Sequence, residues 1–310
     1  MINNNITEKL IKNIEKVIVG KQQVIKLTLT GLFCNGHILL EDVPGLGKTM
    51  LARALAKSIN ADFKRIQFTP DLLPSDITGV SVFNQKTGDF EVRPGPIFAN
   101  IVLTDEINRA TPRTQAGLLE CMQESRISID GVSYNLPKPF FVIATQNPIE
   151  FHGTYPLPEA QLDRFLMELK VGYPSKTEEA DIINRQQKKH PIEELTPVVS
   201  IEEIIEIQNA VKNIHISRDL IEYIVTIVER TRNLSDIQLG ASPRGSIALM
   251  QVSRALSYLE GRDFVTPADI KNIVVFVLAH RIVLHPHAQV KRVTKGEIIE
   301  QILKSVPVPI

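Results

Sequence analysis

Residues 39–49 read Leu39-Leu40-Glu41-Asp42-Val43-Pro44-Gly45-Leu46-Gly47-Lys48-Thr49, and this stretch decides the fold. An apolar run precedes it and a helical pattern over residues 50–59 follows it, so the glycines fall at a strand-to-helix turn. Such a turn suits a phosphate. Glycine lets consecutive backbone N–H groups point inward, and the following helix offers its positive end to an anion. In that setting Lys48 would reach the β- and γ-phosphates and the Thr49 hydroxyl would hold Mg²⁺. The general phosphate-loop pattern asks for glycine six residues before Lys48, where Asp42 stands.

A second element complements the loop. Ile101-Val102-Leu103-Thr104-Asp105-Glu106 is an apolar strand ending in two adjacent carboxylates. The strand end would aim Asp105 at a metal bound beside the loop, with Glu106 one residue further out to polarise an attacking water. Outward from these two segments the first half alternates between short apolar runs and amphipathic helices. Strands are expected near 33–41, 63–67, 100–104, 140–145 and 166–171. Strands that are apolar throughout, with helices between them, imply a parallel sheet covered on both faces. Two hairpins interrupt the alternation, one over 79–93 around Thr87-Gly88 and one over 127–136 around Asp130-Gly131.

Past Tyr173-Pro174 the pattern turns helical. Ser175-Lys176-Thr177-Glu178 is a capping box, and Thr266-Pro267-Ala268-Asp269 repeats it with proline at the first helical position. Apolar spacing over 220–228, 247–259 and 270–278 has period 3.6. Residues 191–197 read as a flexible stretch. The expectation is an α/β fold: a doubly wound parallel-sheet phosphate-loop core over 1–173 with inserted β-hairpins, followed by a smaller all-α lid over 174–310.

Composition narrows the function classes. The 310 residues are 43% hydrophobic and 23% charged, ordinary for a globular protein. Thirty-five basic residues balance thirty-five acidic ones, which gives no general argument for nucleic acid as a partner. Cys34 and Cys121 fit reduced thiols in a cytoplasmic protein. The opening Met-Ile-Asn-Asn-Asn has no leader character, and the apolar run at 273–279 stops at His280-Arg281, too short for a membrane span. His285-Pro286-His287 has no carboxylate or thiol cluster nearby in sequence to make it a metal site.

Taken together, the motifs resemble those of AAA+ ATPases, and the chain is similar in particular to the MoxR family. Besides residues 39–49, the resemblance rests on Arg93-Pro94-Gly95-Pro96-Ile97-Phe98-Ala99-Asn100, Asp105-Glu106-Ile107-Asn108-Arg109-Ala110 and Ala144-Thr145-Gln146-Asn147-Pro148. It continues through Leu157-Pro158-Glu159-Ala160-Gln161-Leu162-Asp163-Arg164-Phe165 and ends at Ser242-Pro243-Arg244-Gly245. Asp42 is common at its position in that family.

The resemblance implies ATP and Mg²⁺ as cofactors. It assigns Asp42, Val43, Pro44, Gly45, Leu46, Gly47, Lys48, Thr49 and Met50 to nucleotide binding, with Ile18 and Val19 on the adenine side. Ordinary core packing explains Ile18 and Val19 nearly as well. Thr49 and Asp105 become the metal-holding residues, and Glu106 the catalytic carboxylate. Asn147 resembles sensor 1, which positions water. Arg164 resembles an arginine finger reaching a neighbouring subunit's ATP; read alone, it serves equally as a surface partner of Asp163. Arg244 resembles sensor 2, directed at the subunit's own γ-phosphate. The hairpins resemble the pore-facing inserts of a ring, with Phe83, Phe90 and Tyr134 as substrate-contact candidates.

These implications add up to a Mg²⁺-dependent ATPase, assembled as a homo-oligomer (a hexameric ring), that remodels client proteins in a chaperone-like way. The expected companion carries a von Willebrand factor A domain. Two other classes compete. A nucleic-acid motor would show nucleic-acid-stimulated turnover with steep salt dependence. A slow regulatory switch would hold ATP without turning it over.

Overall fold

The computed structural model describes residues 4–148, 153–187 and 189–309; Met1-Ile2-Asn3, part of the opening read above for a leader, lies outside them. The first half contains α1 (Asn4–Glu15), α2 (Gln22–Phe33), β1 (Ile38–Glu41), α3 (Lys48–Ser58), β2 (Phe63–Gln67) and α4 (Pro74–Thr78). Next come β3 (Gly79–Asn84), β4 (Asp89–Pro94), β5 (Ile101–Asp105), α5 (Pro112–Glu124), β6 (Arg126–Ile129), β7 (Val132–Asn135), β8 (Phe141–Gln146), α6 (Glu159–Leu162) and β9 (Met167–Leu169). Five strands form one parallel sheet in the order β2-β5-β8-β1-β9.

The near-continuous apolar runs of the three central strands follow from the packing. Ile38 and Leu40 of β1, Ile101 and Leu103 of β5, and Phe141 and Ile143 of β8 face one core. The residues between them, Leu39, Val102, Val142 and Ala144, face a second core on the other side of the sheet. A strand buried on both faces loses the polar half of its alternation. Each fully buried aliphatic side chain here stabilises the fold by roughly 1.5–3 kcal/mol.

Both hairpins stand outside the sheet as separate antiparallel pairs, β3–β4 and β6–β7. The β6–β7 turn is Asp130-Gly131, both with positive φ (49° and 82°), the geometry that makes Asp-Gly a two-residue hairpin turn. Phe83 and Phe90 lie opposite each other in register, largely exposed, with ring centroids 5.3 Å apart. Tyr134 instead packs against the second core.

The helical half contains α7 (Lys176–Arg185), α8 (Pro191–Glu194), α9 (Ile201–Lys212), α10 (Arg218–Asn233), β10 (Ile237–Leu239), α11 (Pro243–Leu259), α12 (Pro267–Leu278), β11 (Val283–Leu284), α13 (Pro286–Val290) and α14 (Lys295–Ser305). Capping boxes open α7 at Ser175 and α12 at Thr266, as expected, and two more open α9 at Ser200 and α14 at Thr294. Two expectations need adjustment. The stretch at 191–197 is ordered by α8, whose Ile192 is buried with Leu195 in the first core and whose carbonyls at Ile192 and Glu193 accept from Lys57 Nζ. The lid is helical but includes a short antiparallel pair, β10–β11. No helix among the described residues is long and apolar enough to cross a membrane.

The first core does not stop at the boundary between the halves. It runs from α1, α2 and α3 through the sheet into α9, α10, α11, α12 and α14 as one apolar cluster.

Candidate nucleotide-binding site

The loop between β1 and α3 is shaped by Gly45 and Gly47, at φ of 86° and 82°, with open space where a Cβ would project from either. A cradle of that kind leaves room for an anion close to the backbone, at the N-terminus of α3. Thr49 sits in the first turn of α3. Lys48 Nζ donates to the Asp42 carbonyl at 2.6 Å. Burial lowers the Lys48 pKa, opposed by the carboxylates of Asp42, Asp105 and Glu106, so these four charges share one neighbourhood.

Asp42 fills the place of the expected glycine with a structural use. Its Oδ1 accepts from the Val43 N–H at 3.0 Å, and its Oδ2 from the Gly172 N–H at 2.7 Å. The loop is thereby tied to the segment that leaves the sheet after β9. Lys21 Nζ, from the other side, donates to the Tyr173 carbonyl at 2.8 Å.

The two carboxylates at the end of β5 are held by β2 and β8. Register pairs Gln67 with Asp105 across β2–β5 and Thr104 with Ala144 across β5–β8, so the strand ends come level. Asp105, buried, accepts from Arg65 Nε at 2.6 Å and from Thr145 Oγ1 at 3.1 Å. Thr145 Oγ1 also accepts from the Glu106 N–H at 2.9 Å, bracing both acids with one hydroxyl. Glu106 sits at φ 57°, a left-handed conformation that turns its side chain off the strand line. Its Oε2 accepts from Gln67 Nε2 at 2.7 Å and Arg109 Nη1 at 3.0 Å. Asn147, buried, directly follows β8, whose Gln146 carbonyl accepts from the Asp42 N–H at 3.2 Å. Gln67, Arg65 and Thr145 escape sequence reading because they are ordinary polar residues on strands. The available signal is Thr145, a hydroxyl closing an otherwise apolar strand.

An apolar cavity of about 230 Å³ opens beside the loop. Ile18, Val19, Gly45, Leu46, Gly47 and Met50 line it, and Ile182 of α7 closes it from the helical half. Val43 and Pro44 lie on the loop outside this lining. Apolar walls with a few polar groups suit a flat heterocycle.

Arg164 and Arg244 lie away from this cavity's lining. Arg164 borders a groove of about 680 Å³ between α5 and the β6–β7 hairpin, with Gln161, Glu120, Glu124 and Arg126. Its Nε is buried with no hydrogen-bond partner among the described residues, and Asp163 pairs with Arg281. Arg244 is exposed in the first turn of α11, where Ser242 is the N-cap and Pro243 opens the helix.

This arrangement can be compared with known proteins. A family model described as ATPase family associated with various cellular activities (AAA) matches residues 37–167, and an AAA lid domain model matches 229–302. Chaperone MoxR1 of Mycobacterium tuberculosis is 40% identical over 97% of this chain and 82% of its own length. The chain belongs to the MoxR family of AAA+ ATPases. A relative in Bacillus subtilis, the uncharacterized protein YeaC, is 55% identical over 97% of this chain and 94% of its own. A crystal structure from Cytophaga hutchinsonii, described as a candidate ATPase, superposes with a TM-score of 0.92 at 42% identity over 99% of this chain and 96% of that one. The fold, a parallel α/β core with a helical lid, is thus the one the motifs led to expect.

ATP and Mg²⁺ fit the residues present. The glycine cradle leaves space for phosphates, and the apolar cavity lies on its flank. Thr49 and Asp105 supply hard oxygen donors. No cluster of three or more His, Cys, Asp or Glu able to hold a metal occurs among the described residues. Mg²⁺ commonly takes one or two protein ligands and completes its shell with water and substrate phosphates, so such a donor set suffices.

Proposed function

We propose that the protein hydrolyses ATP with Mg²⁺ as a homo-oligomeric ring, taken as a hexamer, and uses the energy to remodel or activate client proteins in the cytoplasm. The observation that carries the ATPase reading is the convergence of Lys48, Asp105 and Glu106 in one charged neighbourhood beyond the ends of β1 and β5, the two parallel strands that flank β8. In an open parallel sheet, ligands bind beyond the carboxyl ends of the strands.

The division of labour proposed follows the 173/174 boundary, with nucleotide held by the α/β part and covered by the helical part. Ile18, Val19, Leu46 and Met50 pack the base. Asp42 braces the loop, Val43, Pro44, Gly45 and Gly47 shape it, and Lys48 neutralises the β- and γ-phosphates. Thr49 and Asp105 would hold Mg²⁺, which when bound would supply charge neutralisation to the phosphates. Glu106 takes the proton as water oxygen bonds to the γ-phosphorus and the bond to the ADP oxygen breaks. Asn147 orients that water. Arg164 neutralises transferred charge in the neighbouring subunit's site, and Arg244 does so in its own. The exposed Phe83–Phe90 pair is the proposed client contact, and a von Willebrand factor A domain protein the proposed partner.

Glu106→Gln tests the reading directly. Turnover is expected to fall about 10²–10⁴-fold while ATP stays bound. Quantifying retained nucleotide beside phosphate release in the purified assembly decides it: undiminished release removes Glu106 from the chemistry.

A further inference from the structure

We infer that Asp163, Ser242 and Arg281 form a clasp that fixes the spacing between Arg164 and Arg244, so that the two arginines of one subunit move as a unit. The inference rests on the proposed roles of those arginines and adds the positioning residues that link them.

The clasp joins three segments far apart in sequence. Arg281 belongs to the 3₁₀ turn Ala279–Arg281 after α12, and its side chain is 3% exposed. Its Nε donates to Asp163 Oδ1 at 2.8 Å, its Nη2 to the Phe165 carbonyl at 2.6 Å, and its Nη1 to the carbonyls of Leu166 and Val277. Only a planar guanidinium can spread donors over so many acceptors; an ammonium cannot. The second Asp163 oxygen accepts from Ser242 Oγ at 3.0 Å, and that same Oγ accepts from the Arg244 N–H at 3.1 Å. Asp163 immediately precedes Arg164. One hydroxyl therefore connects the carboxylate beside the first arginine to the backbone of the second.

Gly245 lets the parts close up. A Cβ there would stand 3.1 Å from Leu278 Cδ2 and 3.5 Å from Arg281 Cδ, so Ser242-Pro243-Arg244-Gly245 reads as cap, helix start, ligand arm and close approach. Burial lowers the Arg281 pKa to about 10 against the pull of Asp163, and the Arg244 charge adds to the lowering, so that arm lies within electrostatic reach of the clasp.

If the clasp served only to dock the halves, apolar side chains would do as well, because a buried ion pair adds little net stability. What it adds is directional: a guanidinium, a carboxylate and a hydroxyl in hydrogen-bonded series fix angles that apolar contact leaves free. ATP engaged by Arg244 would pull on α11, and through Ser242 and Asp163 on Arg164 at the next subunit's site.

Two Ser242 variants in the full-length assembly separate this from helix capping. Ser242→Asp keeps a good N-cap but sets a carboxylate against Asp163, whereas Ser242→Thr keeps both the cap and the donor. The expected result is a roughly ten- to hundredfold fall in kcat for Ser242→Asp, with KM for ATP within about twofold and Ser242→Thr near wild type. Arg281→Lys, which keeps the charge but loses the fork, should fall with it. Equal kcat in the Asp and Thr variants, or a change confined to KM, overturns the clasp. Arg164→Ala and Arg244→Ala assayed alongside isolate the underlying reading: if either retains full turnover, the role given to that arginine fails whatever Ser242 does.

Discussion

The phosphate end of the molecule and the junction between its halves solve different problems with similar side chains. At the phosphate end Lys48 follows β1 while Asp105 ends β5 and Glu106 follows it, on either side of β8, and their partners lie on neighbouring strands or on the loops that leave the sheet. At the junction Asp163 and Arg281 are 118 residues apart and meet inside the protein. Charges at the first place are kept available for chemistry; at the second they are consumed in holding geometry. Substitutions at the phosphate end should therefore alter rate with little loss of stability, and substitutions inside the junction should alter stability as well.

The largest expected effect tests whether Arg164 belongs with the first group despite lying beside the second. Arg164→Ala should reduce turnover by about 10³–10⁵-fold with ATP binding and thermal midpoint nearly unchanged. A variant that unfolds earlier but turns over normally would move Arg164 to the structural side. Next comes Asp163→Ala, which strands Arg281 in the interior; breaking a buried pair this way costs about 3–5 kcal/mol, read as a lowered urea midpoint. A smaller loss, about 1–3 kcal/mol, is expected for Gly245→Ala, because the added methyl would crowd Leu278 Cδ2 at 3.1 Å and Ala241 Cβ at 3.3 Å.

The smallest effect concerns Glu168 of β9, beside Glu41 at the root of the phosphate loop. Burial, reinforced by the Glu41 carboxylate and opposed by Lys295 and Lys170, raises its pKa from 4.5 to about 7. A raised carboxyl pKa means the folded state holds a proton that the unfolded chain releases. Its contribution is whole below pH 4.5 and is lost as pH climbs through about 7. Glu168→Gln should flatten that slope and raise the urea midpoint at pH 8. An unchanged pH profile of urea midpoints would show that Glu168 ionises freely.

Legibility in the sequence divides along the same line. The strand, loop and helix around Lys48 are contiguous, and Asp105-Glu106 closes an apolar run, so local pattern reveals both. Apolar runs also disclose the parallel sheet, since both faces are buried. The junction is hidden by distance. Asp163 looks like a partner for adjacent Arg164, yet the end of α6 sends it to Arg281 and Ser242. His280-Arg281 looks like the point where an apolar helix meets solvent, and both are buried: the His280 pKa falls well below its usual value through burial, then through the Arg281 charge. Polar composition hid α8 in the same way, because Ile192 and Leu195 are too few to show a period. Gln67 and Arg65 were illegible for another reason: β2 lies at the sheet edge, where polar side chains are expected.

The apolar cluster that runs unbroken from α1 and α2 into α9, α11 and α12 bears on how the chain acquires its structure during synthesis. Helices made first have their packing partners among those made last, so an emerging chain cannot complete this core when the phosphate loop leaves the ribosome. Until the second half arrives, the face of α2 that packs on α9 and α11 is exposed, which favours aggregation of nascent or truncated chains. A protein proposed to rearrange others thus depends, while being made, on the same shelter of sticky surfaces.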